Sequence, residues 1–283
     1  MSGARSHSPA LTSDSALKPL LAPFAEALHE LGALGLFVRE VAATALRTRG
    51  NWPAIVEQMS HVCFRSLSTV VFAGTFVGAI IVLQFNAVLL NYDAQIFLGG
   101  LNTSAVVREV GPLMITFILA GKIGAYTAAE LGTMRVTEQI DAVECLGTDP
   151  IQYLVLPRFL AIVLSSLILL ALGLLISIGG STLVATFLCG MNPLQYVSSI
   201  QRFVGAWTLI CGGIKSLVYG VIVAGVSCHK GYTASGGARG VGTGVTRAAL
   251  YMSLFIIFAN YLTSSVLEWA HTFAGSLFGW VDG

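Results

Sequence analysis

Five stretches of this chain, at about 66–90, 106–130, 159–188, 206–227 and 248–274, are each apolar over the roughly 20 residues that a helix needs to cross a bilayer. In hydrocarbon the backbone must satisfy its own N–H and C=O groups, so runs of this length predict helices. The fold class is therefore an all-α integral membrane protein with five transmembrane helices. The third stretch is longer than a crossing requires, which predicts tilt or projection beyond the bilayer. Composition agrees, with 55% of residues hydrophobic and only 10% charged, against about a quarter charged in soluble domains. Small-residue spacings, Gly74 with Gly78 on the first span and Gly121, Gly124, Ala125 and Ala128 on the second, allow helices to approach closely.

Residues 1–17 are rich in Ser and Ala and lack the basic start and apolar core of a secretory signal, so a disordered cytoplasmic tail is expected. Over 18–49 the residues Phe24, Leu28, Leu31, Leu34, Val38 and Val41 recur at three and four, while Glu26, His29, Glu30, Arg39 and Glu40 interrupt any apolar run. That pattern predicts an interfacial amphipathic helix and not a span. No internal repeat or linker divides the rest, so 18–283 reads as one domain. Between the second and third spans lies a charged island, GTMRVTEQIDAVECLGTDP at 132–150. Its Arg135, Glu138, Asp141 and Glu144 would each cost roughly 3 kcal/mol at the bilayer centre, so the island lies outside the hydrocarbon. With no Pro or Gly from Thr133 to Cys145, and Met134, Ile140 and Val143 among the charges, it predicts one short amphipathic helix over 133–145 that a soluble partner could grip.

Basic residues set the orientation. With the amino terminus inside, the inner segments hold Arg5, Lys18, Arg39, Arg47, Arg49 and Arg65, then Arg135 and Arg158, then Lys230, Arg239 and Arg247. The outer segments hold only Arg108 and Arg202. Five crossings then place the carboxyl terminus outside and the island in the cytoplasm.

Several chemistries are not signalled. Gly121-Lys122 is followed by Ile123, and Thr116 stands where a phosphate-binding loop needs its first glycine, so the chain is not expected to hydrolyse ATP. The glycines at 236, 237, 240, 242 and 244 follow no strand and read as a loop. The histidines, His7, His29, His61, His229 and His271, never pair at three or four, which predicts no metal site. The five cysteines form no CxxC pair and read as small buried hydrophobes. A net charge of +1 without a basic stripe gives no signal for nucleic acid. An enzyme acting on lipids would need a clustered His, Cys or carboxylate pair, which is not visible.

Charges inside the spans carry the chemistry. Arg108, Glu109, Lys122 and Glu130 lie on the second span and Lys215 on the fourth. On a regular helix Arg108, Lys122 and Glu130 fall within roughly an 80° arc, a stripe that should face protein or a water-filled cavity. Lys122 and Glu130 suit interhelix pairing, or an ion relay in a secondary transporter. Arg108, Glu109 and Lys215 lie toward the outer half, where phosphate would suit Arg108 and Lys215. At the end of the first span Gln84, Asn86, Asn91 and Tyr92 punctuate Ile81, Val88 and Leu89, a pattern that fits an acyl-chain lining or ordinary packing.

The motifs REVGP (108–112), AGKIGAYTAAELGTMRVTEQIDAVECLGTDP (120–150), LPRFLA (156–161) and GYTASGGARGVGTGVTRA (231–248) resemble the MlaE permease family, the membrane subunits of lipid-transporting ABC systems that work with MCE-domain proteins. The resemblance runs from about residue 50 to the end. It implies a homodimeric permease of the bacterial inner membrane that moves phospholipid between that membrane and the periplasmic side. The family reading pairs it with two copies of a cytoplasmic ABC ATPase, which bind ATP and Mg, so that no cofactor is held by this chain. An MCE-domain hexamer on the periplasmic side and, in some systems, a STAS-domain cytoplasmic protein are further implied partners. In this reading Met134, Arg135, Glu138, Asp141 and Glu144 belong to a coupling helix for the ATPase. The lipid cavity lies at the dimer interface, near Ile81, Val88, Leu89, Tyr92, Arg108, Glu109 and Lys215. Sterol-like or other hydrophobic substrates are the alternative cargo. Arg239 departs from the acidic residue that many relatives carry in the glycine-rich loop.

Overall fold

The computed structural model describes the backbone of residues 14–47 and 51–278, and the side chains of 30–47 and 51–273. The expected tail over 1–13, the charges Arg5, Lys18 and Arg49, and the side chains of Phe24, Glu26, Leu28 and His29 lie outside the described residues.

Among the described residues every regular element is helical. Five helices are long and apolar enough to cross: α2 (Trp52–Leu90), α3 (Gln95–Val136), α5 (Ile151–Phe187), α7 (Ala206–Tyr232) and α8 (Gly237–Phe278). Four of them contain the predicted stretch entirely, α5 stopping one residue short of it at Phe187, and each extends beyond its stretch at one end or both. Hydropathy stops where charges begin, such as Glu57 and Arg65 on α2, but a helix can leave hydrocarbon and continue in water. At 39 residues α2 is about 58 Å long, against a hydrocarbon core of about 30 Å. The remaining helices are α1 (Asp14–Arg47), α4 (Gln139–Cys145) and α6 (Pro193–Phe203). The first of these starts inside the stretch read as a tail.

Packing centres on α7, which touches α3, α5 and α8, while α2 lies along α5. Ile115, Leu119, Leu131, Ile162, Leu169 and Met252 are among the buried residues of one continuous core. The amphipathic α1 rests on the end of α7: Phe37 meets His229 edge-on at 5.3 Å, and Lys230 Nζ bonds Glu30 at 2.5 Å. At the opposite end α6, which no apolar run announces, caps the bundle. Asn192 accepts from the Leu194 N–H at 2.9 Å, and Tyr196 is fully buried beside Val82, Leu98 and Ala185. Its hydroxyl donates to Ser181 and accepts from Asn102, and burial pushes its phenol pKa up.

The predicted single helix over 133–145 is two pieces. The second crossing, α3, carries Met134 and Arg135 in its last turn and ends at Val136. Glu138 then adopts left-handed backbone (φ 61°), and α4 begins at Gln139. The pattern of charges was compatible with continuity; the break lies in a backbone dihedral that residue type does not dictate.

Three wide π turns are built into the long helices: Val106–Val110 and Ala120–Gly124 within α3, and Ile151–Val155 at the start of α5. Two of them end two residues before a proline, Pro112 and Pro157. A helical proline clashes with the carbonyl four residues back and offers it no N–H, and a widened turn relieves both.

Candidate functional site

Arg108 and Glu109 occupy the first wide turn of α3. Pro112 cannot donate to the Arg108 carbonyl, the α-helical partner it would otherwise serve. That carbonyl instead accepts from Lys215 Nζ on α7 at 2.9 Å. The same ammonium donates to Glu109 and, at 2.8 Å, to Ser264 of α8, whose hydroxyl in turn bonds the Glu109 carboxylate at 3.1 Å. All three donors of Lys215 are thereby used, and the residue is only 2% exposed. It holds three helices together and has no donor left for a phosphate. One turn along, Tyr219 bonds Asn260 at 2.7 Å and Thr263 at 3.1 Å, extending the polar seam between α7 and α8.

Arg108 is the cation that faces outward from this cluster. Its guanidinium pairs with Glu268 of α8 at 2.6 Å, with the two side chains 37% and 64% exposed. Arg108, Glu109, Lys215 and Glu268 line a cavity of about 350 Å³ completed by Cys211, Tyr261 and Ser264. Sequence reasoning brought the first three together and missed Glu268, Ser264 and Tyr261. Glu268 was legible as a lone carboxylate in an apolar helix; nothing local marks its distance from Arg108.

Ile81, Val88 and Leu89 of α2, and Tyr92 in the turn that follows it, do not line this cavity. Val88 and Tyr92 are exposed, Ile81 is partly so, and Leu89 packs beside the small cluster under α6. By helical angle Ile81 and Val88 fall within about 20° of one another, so they form one outward face.

The predicted charged stripe does not form. Two wide turns rotate the residues beyond them, and each charge finds a different partner. Glu130 takes Arg158 of α5 in a two-pronged pair at 3.0 and 3.3 Å. Lys122 reaches only the Thr69 hydroxyl of α2, at 3.3 Å. A relay along one face of α3 is not supported by this arrangement.

At the other end of the second crossing, the segment from Met134 to Glu144 is anchored by Ile140, which is 0% exposed, with Met134 and Val143 packed on the core. Arg135 pairs with Asp141 across the left-handed break, clamping α4 against α3. Glu138 and Glu144 remain exposed, as do Cys145 and Leu146. Leu146, at 82% exposure, was missed; a large apolar side chain left this exposed after α4 is a candidate contact for a partner.

Residues 55–266 match the family model described as Permease MlaE. The chain is 37% identical over 219 residues to a protein of Synechocystis sp. named as a probable ABC transporter permease, covering 77% of this chain and 83% of that one. A protein of the same description from Rickettsia felis is 33% identical over 238 residues, covering 84% and 92%. The intermembrane phospholipid transport system permease protein MlaE of Haemophilus influenzae is 29% identical over 238 residues, covering 84% and 91%.

Proposed function

Since the chain belongs to the MlaE permease family, we propose that it is the membrane subunit of an ATP-driven transporter that moves phospholipid between the bacterial inner membrane and the periplasmic side. As an ABC permease it is a transport subunit and not a catalytic one. The observation that carries the phospholipid reading is the Arg108 site, a guanidinium at the rim of a cavity whose other charges are already paired. A phosphodiester can displace Glu268 from Arg108, exchanging one charge-assisted pair for another. The relative named for phospholipid transport supports the same cargo.

Coupling follows from continuity. Glu109 and Arg135 stand on the same helix, about 39 Å apart along its axis at 1.5 Å per residue. A motor that pulls on Glu138, Glu144 and Leu146 would move α3 and with it the wide turn that aims Arg108. Two positions of α3 with different affinity for the lipid would then constitute the transport switch. The motor is a dimeric cytoplasmic ABC ATPase, which binds ATP and Mg. The complete assembly would comprise two copies of this chain, an MCE-domain hexamer on the periplasmic face and, in some systems, a STAS-domain protein. Ile81, Val88, Leu89 and Tyr92 would meet acyl chains where the second copy closes the cavity.

The test is lipid transfer by the reconstituted complex. Glu138→Arg should abolish both transfer and lipid-stimulated ATP hydrolysis, because it reverses a charge at the hinge of the lever. Arg108→Ala should lower the lipid that co-purifies, read by native mass spectrometry. Unaltered transfer in the first variant together with unaltered lipid load in the second would overturn the reading.

A further inference from the structure

Away from the Arg108 cavity, two more cations meet on the surface between α2 and α3. Arg65 stacks on the Tyr126 ring with its guanidinium carbon 4.4 Å from the centroid, and Lys122 donates to Thr69 at 3.3 Å. Each rung joins residues one turn apart on antiparallel helices: Arg65 and Thr69 on α2, Lys122 and Tyr126 on α3. All four side chains are exposed on the bundle surface. Among the described residues neither cation has a carboxylate within ion-pair distance, and the two carboxylates of α3, Glu109 and Glu130, are taken by Lys215 and Arg158.

Depth narrows what can answer them. No Asp, Glu, Lys or Arg occurs on α2 from Ser66 to Leu90, so Arg65 marks the edge of the hydrocarbon on the coupling-segment side. Thr69 lies about 6 Å deeper, within reach of an ammonium on a long flexible stem that stretches toward the headgroups. Two cations at that level have no carboxylate partner among the described residues, and the anion present there in quantity is lipid phosphate. From this point Phe72, Phe76, Ile80 and Leu83 continue along α2, all exposed. With Arg65 and Thr69 they fall within roughly an 80° arc. Thr69 to Leu83 spans about 21 Å, more than the ~15 Å depth of one leaflet's hydrocarbon. The centre of this face is turned about 120° or more from Ile81 and Val88, so it is not part of the lining inferred above.

We propose that Arg65 and Lys122, backed by Tyr126 and Thr69, hold the phosphodiester headgroup of a phospholipid in the leaflet on the coupling-segment side. Its acyl chain lies along the Phe72–Leu83 stripe. The site's role as a loading station rests on the transport reading; binding itself does not.

The experiment places a photo-crosslinking amino acid at Phe72 in the full-length chain. The protein is reconstituted in nanodiscs doped with phosphatidylglycerol or with diacylglycerol, which lacks phosphate, and adducts are weighed by intact-protein mass spectrometry. The phosphatidylglycerol adduct should dominate, should fall by roughly tenfold in Arg65→Gln/Lys122→Gln, the factor that about 1.4 kcal/mol represents, and should persist in Arg65→Lys/Lys122→Arg. Equal adducts from both lipids, an adduct indifferent to loss of both charges, or crosslinking to a second copy in place of lipid would overturn the proposal. No ATPase is present in this assay, so its failure is separate from failure of transfer in Glu138→Arg.

Discussion

Lys215 sits in a place almost without water with three acceptors around its ammonium group, and two of them exist through nearby sequence choices. Pro112 frees the Arg108 carbonyl, and the wide turn brings Glu109 to the same ammonium. Removing one member of such a pair leaves the other uncompensated at a cost of about 3–5 kcal/mol. Glu109 is partly exposed, so Glu109→Ala is expected at the low end, about 3 kcal/mol. The double variant Glu109→Ala/Lys215→Met should be less destabilised than Lys215→Met and Glu109→Ala summed, because no charge is then stranded. Thermal unfolding in detergent measures the cycle, and strict additivity would show that the pair is not coupled. At this scale the sequence revealed which residues were charged within the apolar spans, and the family resemblance flagged Arg108, Glu109 and Lys215. It could not reveal that Lys215 has no donor to spare, since Ser264 stands 49 residues away.

The elements owe their contacts to small residues, though not at every position where spacing suggested it. A Cβ at Gly78 would stand 2.4 Å from the Ser177 carbonyl oxygen on α5, whereas one at Gly121 meets nothing within 4 Å. Gly78→Ala should therefore force α2 off α5 at a cost of about 1–3 kcal/mol. Gly121→Ala should be neutral or stabilising by up to about 1 kcal/mol, the usual helical gain. Melting temperatures of the two variants side by side decide this, and an equal response would contradict the packing. Both glycines sit in small-residue patterns of the same appearance, so only the path of the neighbouring helix separates them. The same holds for the segment over 133–145, where Ile140 is buried as an amphipathic pattern requires while the predicted continuity fails. Periodicity reports which faces are buried and is silent about a single left-handed residue such as Glu138.

For the molecule as a whole the chain supplies its own orientation probe. Cys145 is the exposed thiol, Cys211 and Cys228 are buried, and Cys63 and Cys189 are partly buried. The reading of small buried hydrophobes thus fails at Cys145, which follows the charged face of α4 into water. A membrane-impermeant maleimide should label Cys145 rapidly in inside-out vesicles and slowly in right-side-out vesicles, and Cys145→Ser should remove the fast phase. Fast labelling from the periplasmic side would invert the topology and detach the coupling segment from any cytoplasmic motor. The number and order of the helices long and apolar enough to cross were determined by sequence alone, because transfer into hydrocarbon is a sum over local residues and needs no knowledge of neighbours. Which charge meets which was decided only by the tertiary structure. The wide turns rotate α3 away from regular periodicity, and the partners of Arg108, Glu109 and Lys122 lie 160, 106 and 53 residues away, distances that no local pattern encodes.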